Sequence, residues 1–320
     1  MTPVRITALF LVLTFSIAPA RAQSKECLER TVPLSIISWD GSPLLNLGAR
    51  SFDASVQWDS VEISSLALDE GPRRILLLID TSTSFLDKSD LAIGLASDLV
   101  DHLPSSSEMG LASFSGSLTP LVSPTKDHAE ILRGLQSVFP PVGSKSHIKR
   151  HGTALWDAVR NGVDLLGDSQ VGDAVFVITD GMDTTSKEDS NHAINALLAK
   201  GIRLFAIEIA YPAGIRARML SPKEGDPVDR MVYATDKTGG FAIFPSQNLA
   251  DVPFKGKIPS ELRKPLDLEY HLIVTFYRLD VKLSRAPERQ LEWKLSLSGP
   301  RSSVRKNFEL RYPKSFPPCN

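Results

Sequence analysis

One stretch of the chain carries three oxygen-bearing side chains at alternate positions after an apolar run. Residues 74–84 begin as an apolar segment without a turn residue, which is typical of a buried strand. That segment ends in Asp80, which is followed by the hydroxyls of Ser82 and Ser84. At the mouth of a strand, this spacing can turn one carboxylate and two neutral oxygens toward a single point. Hard divalent cations such as Mg²⁺ prefer these ligands, so the segment predicts part of a cation site.

Two later segments carry further candidate ligands. Thr153 lies within residues 151–158, just before a helical apolar pattern, where its hydroxyl could cap the helix or face a metal. Residues 174–181 form a second apolar run that delivers Asp180 into a tight turn at Gly181. Taken singly, all these side chains could instead cap helices or satisfy backbone donors in turns. Their joint occurrence at predicted strand ends favours metal ligation.

The elements around these segments alternate between helix and strand patterns. Apolar periodicity predicts helices at residues 91–103, 131–138, 155–166 and 194–198, and strands at residues 110–114, 202–209 and 241–244. This alternation predicts a mostly parallel sheet with helices on both faces. In such open sheets, ligands bind beyond the carboxyl ends of the strands, which is where the candidate ligands fall.

The alternating region contains two long loops, and the sequence on either side of it has a β pattern. Residues 137–152 and 212–230 are predicted as surface loops, and the first of them leads into the segment of Thr153. The β pattern comprises short strands and turns over residues 31–70 and, after a linker near 247–266, strand-like runs at 268–277, 290–297 and 304–312.

The ordered set of candidate ligands resembles the metal-ion-dependent adhesion site (MIDAS) of the von Willebrand factor type A (VWA) fold. In that family the first loop gives an Asp and two Ser, the second a Thr and the third an Asp. The matching residues here are Asp80, Ser82, Ser84, Thr153 and Asp180. The resemblance covers roughly residues 72–246 and implies an α/β fold with a doubly wound, mostly parallel, Rossmann-like sheet. It also implies a bound divalent cation, with Mg²⁺ favoured and Mn²⁺ or Ca²⁺ as alternatives.

The flanking β segments are similar to those of an exported bacterial family, the acidobacterial VWFA-related proteins. The Asp40–Pro43 turn followed by Leu47 and Phe52, and a closing strand ending in Arg311 and Tyr312, carry this resemblance. Both β segments would then form one small domain into which the VWA unit is inserted. The predicted parts are a signal peptide at residues 1–22, an N-terminal β segment at 23–71, the VWA domain at 72–246, and a linker with a C-terminal β segment at 247–320.

The beginning of the chain predicts export. Residues 1–5 carry one positive charge, residues 6–17 are largely apolar, and residues 20–22 form a small-x-small cleavage site. The apolar stretch is too short for a good membrane span, and no later stretch is long and apolar enough. We therefore expect a mature protein without an integral membrane segment, located in the periplasm or outside the cell.

Cysteine usage and charge narrow the function classes further. The two cysteines allow one intramolecular disulfide, between Cys27 and Cys319, which would tie the ends of the mature chain together; two free thiols are the alternative. Neither cysteine has a neighbouring His, so neither is expected to be catalytic. The formal net charge of −1 gives no reason to expect nucleic acid or an anionic membrane as a partner.

Three functions are compatible with these features. The resemblance favours an adhesion-type binding module in which the cation bridges to an acidic residue of a protein partner. An exported scaffold with a purely structural metal site is the alternative. A metal-assisted hydrolase is disfavoured, because the chain lacks a nucleophile elbow, a phosphate-binding loop and a zinc-protease motif. His151 is the single candidate for a general base. We expect a non-enzymatic protein, with Asp183 as a solvated or outer-sphere group and Asp157 holding a helix start.

Overall fold

The computed structural model describes residues 25–38, 42, 44, 46–57, 59–139, 152–209, 227–245, 256–298 and 308–319. The predicted signal peptide, His151, most of the turn at 40–43 and most of the two predicted surface loops lie outside these residues. Within the described ranges, no helix is long and apolar enough to cross a membrane.

The described residues form two layered units. Their strands are β1 (Glu29–Ser38), β2 (Phe52–Val56), β3 (Asp59–Asp69), β4 (Arg74–Asp80), β5 (Glu108–Phe114), β6 (Leu118–Thr125), β7 (Ala174–Thr179), β8 (Arg203–Glu208), β9 (Phe241–Ile243), β10 (Phe276–Lys282), β11 (Leu291–Glu292), β12 (Lys294–Leu297), β13 (Phe308–Arg311) and β14 (Ser315–Phe316). Their helices are α1 (Lys25–Leu28), α2 (Ser89–His102), α3 (His128–Leu135), α4 (Leu155–Leu165), α5 (Ser190–Ala199), α6 (Pro227–Thr238) and α7 (Ser260–Val274).

The first unit is built on a six-stranded sheet in the order β6-β5-β4-β7-β8-β9. Its pairings are parallel except for β6, which adds an antiparallel edge. The chain passes from β4 to β5 on one side and later returns to β7 on the other side. Strand β4 therefore lies at the switch point where open α/β sheets bind ligands. The predicted doubly wound, mostly parallel sheet is confirmed.

Both faces of this sheet are buried under helices. On β4, Ile75, Leu77 and Ile79 pack in one core cluster with residues of α2, α3 and α7. The alternate residues Leu76 and Leu78 pack on the opposite face with α4, α5 and α6. Because successive side chains of a strand point to opposite faces, burial on both sides explains the unbroken apolar run in the sequence.

The second unit is an antiparallel sheet built from both ends of the chain, in the order β12-β2-β3-β10-β1-β13. Its core contains Leu34 from the N-terminal segment, and Leu279 and Trp293 from the C-terminal segment. A disulfide joins Cys27 and Cys319, whose Cα atoms are 5.8 Å apart. The predicted flanking β domain and the predicted disulfide are both confirmed.

The strand predicted at residues 268–277 is wrong over most of its length. Helix α7 continues to Val274, and β10 begins at Phe276. Alternate apolar residues between Leu268 and Leu272 also fit the two-residue period of a strand, so the local pattern is ambiguous. We propose that the α/β unit extends to Val274 rather than ending at residue 246, because α7 packs in the core of the parallel sheet. The residues that make this contact are Leu262, Leu266, Tyr270, Leu272 and Ile273.

Two arginines hold the C-terminus of α7 where the chain enters β10. Nε of Arg73 donates to the carbonyl of Val274 (3.0 Å), and Nη2 of Arg203 donates to the carbonyl of Ile273 (2.9 Å). Both guanidinium groups lie over the ring of Phe276, 4.2 and 4.5 Å from its centroid. Positive charge at the carbonyl end of a helix is favourable, so these contacts fix the path from the first unit into the second.

Candidate metal centre

Hydrogen bonds around Asp80 shape the first loop of the site. Asp80 is the last residue of β4 and is fully buried. Its Oδ1 accepts a hydrogen bond from the backbone N–H of Ser82 (2.8 Å), so the chain turns immediately after the strand. The hydroxyls of Ser82 and Ser84 lie 3.1 Å apart. The three predicted ligands of this loop therefore lie together at the carboxyl end of β4.

Asp180 enters from the neighbouring strand, one residue beyond the end of β7. Its Oδ1 accepts a hydrogen bond from the N–H of Met182 (3.0 Å), while its Oδ2 is buried without a hydrogen-bond partner in the described parts of the chain. The turn places Gly181 in the left-handed region, at φ 77°, and a Cβ there would strike the carboxyl group of Glu208. Both backbone conformation and space therefore require glycine at this position.

The two carboxyl groups repel each other in a buried environment. Burial and the charge of Asp180 raise the pKa of Asp80 to about 7, against hydrogen bonds from Ser82 and Thr179. Burial also raises the pKa of Asp180, against a hydrogen bond from Ser84. A positive charge beside both carboxylates would favour their ionised forms, so the electrostatics of this site suit a cation.

A hydroxyl that sequence reasoning missed supports Asp80. Thr179, the last residue of β7, is fully buried, and its hydroxyl donates to Oδ2 of Asp80 (2.7 Å). The same hydroxyl oxygen accepts a hydrogen bond from the N–H of Gly181 (3.1 Å). Thr179 therefore connects the loops of both carboxylates and orients one of them. The signal in the sequence was a hydroxyl in an otherwise apolar strand, directly before an acidic residue.

Thr153 is buried just before α4 and is tied to the loop that follows Asp180. Its carbonyl accepts hydrogen bonds from the N–H groups of Thr184 (2.8 Å) and Thr185 (3.0 Å), and its own N–H donates to the hydroxyl of Thr184 (2.9 Å). A Cβ at the neighbouring Gly152 would strike the side chains of both threonines. These contacts hold Thr153 against the loop that follows Asp180, and the close approach requires glycine before it.

Side-chain hydrogen bonds join the start of α4 to the loop that follows Asp180. The half-buried Asp183 accepts a hydrogen bond from the N–H of Leu155 (3.0 Å), and the Ser186 hydroxyl accepts one from the N–H of Asp157 (3.1 Å). In return, the Asp157 carboxylate accepts a hydrogen bond from the N–H of Lys187 (3.0 Å). Asp183 therefore caps the helix start, the role that the sequence analysis gave to Asp157, while Asp157 holds the loop.

The donor set fits a hard divalent cation. It combines two buried carboxylates with the neutral hydroxyls of Ser82, Ser84 and Thr153, and it contains a buried carboxylate oxygen, Oδ2 of Asp180, without a described hydrogen-bond partner. Across the described ranges, no three His, Cys, Asp or Glu side chains form a group that could hold a metal. A cation at this site would therefore depend on hydroxyls, water and a partner's oxygen to complete its shell.

Comparison with known proteins identifies the domain that carries this site. Residues 75–182 match the family model described as the von Willebrand factor type A domain. This part of the chain is a VWA domain. The match includes all five candidate ligands, from Asp80 to Asp180, and the two strands that deliver the carboxylates. No curated protein matches the chain.

Three solved structures are similar to parts of this chain. BatB from Bacteroides thetaiotaomicron is 23% identical with a TM-score of 0.43, covering 56% of this chain and 94% of BatB. A von Willebrand factor type A protein from Catenulispora acidiphila is 9% identical with a TM-score of 0.44, covering 90% and 73% of the two chains. Proximal thread matrix protein 1 from the mussel byssus, with a zinc-occupied MIDAS motif, is 14% identical with a TM-score of 0.49, covering 68% and 50%.

Two further charged residues beside the VWA site were not selected from the sequence. Glu208 ends β8, is fully buried and packs against Gly181. Lys88 follows the first loop, and its side chain is 2% exposed. An acidic residue at the end of an apolar strand was a usable signal for Glu208. By contrast, the sequence around Lys88 does not distinguish it from a surface lysine.

Proposed function

We propose that this VWA domain is a metal-dependent, adhesion-type protein-binding module. A divalent cation, with Mg²⁺ favoured over Mn²⁺ and Ca²⁺, would be held by Asp80, Ser82, Ser84, Thr153 and Asp180. It would bridge to a carboxylate of a protein partner. The five residues would supply the cation's protein ligands, and the partner's acidic residue would complete its shell.

The observation that carries this proposal is the state of the two buried carboxylates. Oδ2 of Asp180 has no hydrogen-bond partner in the described residues, and the charge of Asp180 acts on the fully buried Asp80. Burying a carboxylate with one oxygen left unpaired is costly, and a second carboxylate nearby adds to that cost. A divalent cation beside both groups would offset it.

The composition of the donor set supports a partner carboxylate as an additional ligand. Mg²⁺ requires near-octahedral coordination by oxygen and usually keeps several waters where few protein ligands are available. The site offers two carboxylates, and its other donors are uncharged hydroxyls. A partner's carboxylate could replace one water with a charged oxygen, which would make binding of the partner depend on the cation.

A purely structural metal is the alternative function, and the loop contacts argue against it. Hydrogen bonds of Thr153 with Thr184, and of Leu155 with Asp183, already hold the second and third loops together. A cation is therefore not required to join those loops. A metal-assisted hydrolase has no supporting observation, and we propose a non-enzymatic role.

The disulfide supports an exported location. A bond between Cys27 and Cys319 is expected to persist in an oxidising compartment rather than in a reducing cytosol. We therefore place the protein in the periplasm or outside the cell.

Calorimetric titration with Mg²⁺, Mn²⁺ and Ca²⁺ tests the proposed site. We expect saturable binding by the native protein and loss of that binding in Asp80→Ala, because half of the anionic ligand set is removed. Asp101→Ala is the matched control, since Asp101 is an exposed carboxylate on α2. Binding that survives in Asp80→Ala would assign the cation to another place, and a native protein that binds no cation at millimolar concentration would reject the metal-dependent module.

A further inference from the structure

One guanidinium group lies against both sulfurs of the disulfide. Nη2 of Arg30 is 3.6 Å from Sγ of Cys27 and 3.8 Å from Sγ of Cys319. Nε of the same side chain donates to the carbonyl of Cys27 (3.1 Å). Because Cys27 and Arg30 belong to one short segment, where α1 leads into β1, their contact does not depend on the distant Cys319.

Arg30 brings a positive charge to these sulfurs that no described carboxylate neutralises. Within the described ranges, its side-chain hydrogen bonds go to the sulfurs and to one carbonyl. Burial lowers the pKa of the guanidinium, and no described acidic group opposes that shift. Arginine nevertheless stays protonated near neutral pH. A neighbouring cation favours the thiolate form of a cysteine, so Arg30 favours the reduced state of this bond.

The two sulfur-bearing residues differ in accessibility. Cys27 is 8% exposed, whereas Cys319 is half-buried. A thiol reductant therefore reaches Cys319 more readily, which makes Cys27 the leaving group. Phe316 is buried in the core of the flanking unit, and the N–H of Cys319 donates to the carbonyl of Pro287 (2.7 Å). The C-terminal segment therefore keeps other contacts when the bond opens.

We propose that the Cys27–Cys319 bond is redox-sensitive, because Arg30 stabilises the Cys27 thiolate that a thiol reductant releases. A disulfide with a stabilised leaving thiolate is broken faster and has a higher reduction potential. The bond therefore joins the N- and C-terminal segments under oxidising conditions and opens on exchange with a thiol. This inference does not depend on the metal centre.

The exchange takes place in two displacements. A thiolate of the reductant attacks Sγ of Cys319 and forms a mixed disulfide, while Cys27 leaves with the electron pair of the broken S–S bond. A second thiolate of the reductant then attacks the reductant's sulfur in the mixed disulfide, which releases Cys319 as a thiolate. Two electrons pass from the two thiols to the protein, and the two protons of those thiols go to the cysteines or to water according to the pH.

Equilibration of the purified chain in mixtures of reduced and oxidised glutathione measures the equilibrium constant for reduction. Alkylation followed by mass spectrometry counts the reduced fraction. Arg30→Met removes the charge and keeps an apolar side chain. Arg50→Met, at an exposed arginine between β1 and β2, is the matched control.

We expect Arg30→Met to be reduced less readily than the native protein at about pH 8, with an equilibrium constant about tenfold lower, which is about 30 mV for a two-electron couple. At about pH 6 this difference should disappear, because Cys27 is then a neutral thiol in both proteins and no thiolate remains to be stabilised. Arg50→Met should match the native protein at both pH values.

The native chain alone gives a second readout. Reduction takes up two protons while both thiols are neutral, and one proton once Cys27 is a thiolate. The slope of the reduction potential against pH should therefore change below about pH 8, before an ordinary thiol ionises at about 8.5.

Each contrary result overturns the proposal. Equal equilibrium constants for the native protein and Arg30→Met at about pH 8 would remove the role of Arg30. A difference of the same size at both pH values would mark a structural effect of the substitution instead of thiolate stabilisation. If Arg30→Met does not fold, a native slope that first changes above about pH 8.5 would still contradict a stabilised thiolate.

Discussion

The hydroxyl of Thr179 donates to Oδ2 of Asp80 and accepts a hydrogen bond from the N–H of Gly181. The Thr179 side chain thus contacts the carboxylate of Asp80 and the loop that begins at Asp180. Groups in this position orient the ligand oxygens, so their loss changes metal affinity even though they do not touch the metal. At the scale of single residues, the site therefore extends beyond the five predicted ligands.

Thr179→Val replaces this hydroxyl with a methyl group of similar size. We expect the affinity for Mg²⁺ to fall about 10- to 100-fold, because the Asp80 carboxylate loses the donor that fixes its orientation. Thr179→Ser retains a hydroxyl and is the matched control. Calorimetric titration of both variants measures the effect, and equal affinities in the two would contradict an orienting role for Thr179.

Residue type and spacing were enough to nominate candidate ligands, whose role as ligands stays a prediction. Asp80, Ser82 and Ser84 occupy alternate positions after one apolar run and Asp180 follows another, and these four residues lie close together in the structure. Thr179 was not selected, because a threonine inside a strand is compatible with ordinary β propensity. Its role depends on which carboxylate lies on the adjacent strand.

At the scale of elements, α7 buries an acidic residue between the two units. Glu269 is fully buried, and within the described residues neither carboxyl oxygen has a close hydrogen-bond partner. Burial raises the pKa of Glu269 well above its ordinary value, and the backbone of Ala206 and the charge of Arg311 oppose that shift incompletely. Arg311 itself donates to the carbonyl of Gly240 (2.8 Å), which joins β13 to the α/β unit.

Glu269→Gln removes a group whose ionisation opposes folding. Because the pKa of Glu269 is higher in the folded than in the unfolded chain, its favourable contribution is complete below the unfolded pKa of about 4.3 and is lost as the pH rises. We expect the native protein to lose stability relative to Glu269→Gln as the pH rises from about 4.3 toward the raised pKa of the folded state. Urea unfolding across this range measures the difference.

The exposed Asp267 on the same helix provides the matched control, as Asp267→Asn. That variant should track the native protein at every pH. A Glu269→Gln variant that is less stable than the native protein by a constant amount at all pH values would contradict the assignment of a neutral buried acid.

At the scale of the whole molecule, the two units are joined at several places. The disulfide joins the N- and C-terminal segments within the flanking β unit, over a sequence separation of 292 residues, and other contacts join that unit to the first one. The N–H of Lys314 donates to the carbonyl of Lys237 (2.9 Å), and a Cβ at Gly239 would strike the backbone of Tyr312. The flanking unit therefore contacts the α/β unit where α6 leads into β9.

The double variant Cys27→Ser/Cys319→Ser should unfold at a lower urea concentration than the native protein. We expect the free energy of unfolding to fall by about 2 to 5 kcal/mol, since the disulfide restricts the unfolded chain over a long loop. The native protein in excess dithiothreitol should reproduce the same midpoint. If neither treatment changes the midpoint, the bond does not stabilise the joined units.

The sequence by itself determined the order of the main elements and the identity of the candidate ligands. Apolar runs that end in Asp80 and Asp180 specify buried strands, and helical stripes between them specify crossovers, so a mostly parallel sheet follows from local periodicity. The count of two cysteines left one possible intramolecular disulfide, Cys27 with Cys319, with two free thiols as the alternative. These features depend on properties of neighbouring residues, which the sequence displays directly.

Tertiary structure decided what local periodicity left ambiguous. The apolar pattern of α7 fits both a helix and a strand, and packing against the parallel sheet selects the helix. The run at residues 290–297 divides into β11 and β12, because they pair with different strands, β14 and β2. The burial of Lys88 beside Asp180 and the unpartnered Oδ2 of Asp180 likewise arise from segments distant in the chain. Burial and electrostatic environment are properties of the packed fold, so no single segment of the sequence could have specified them.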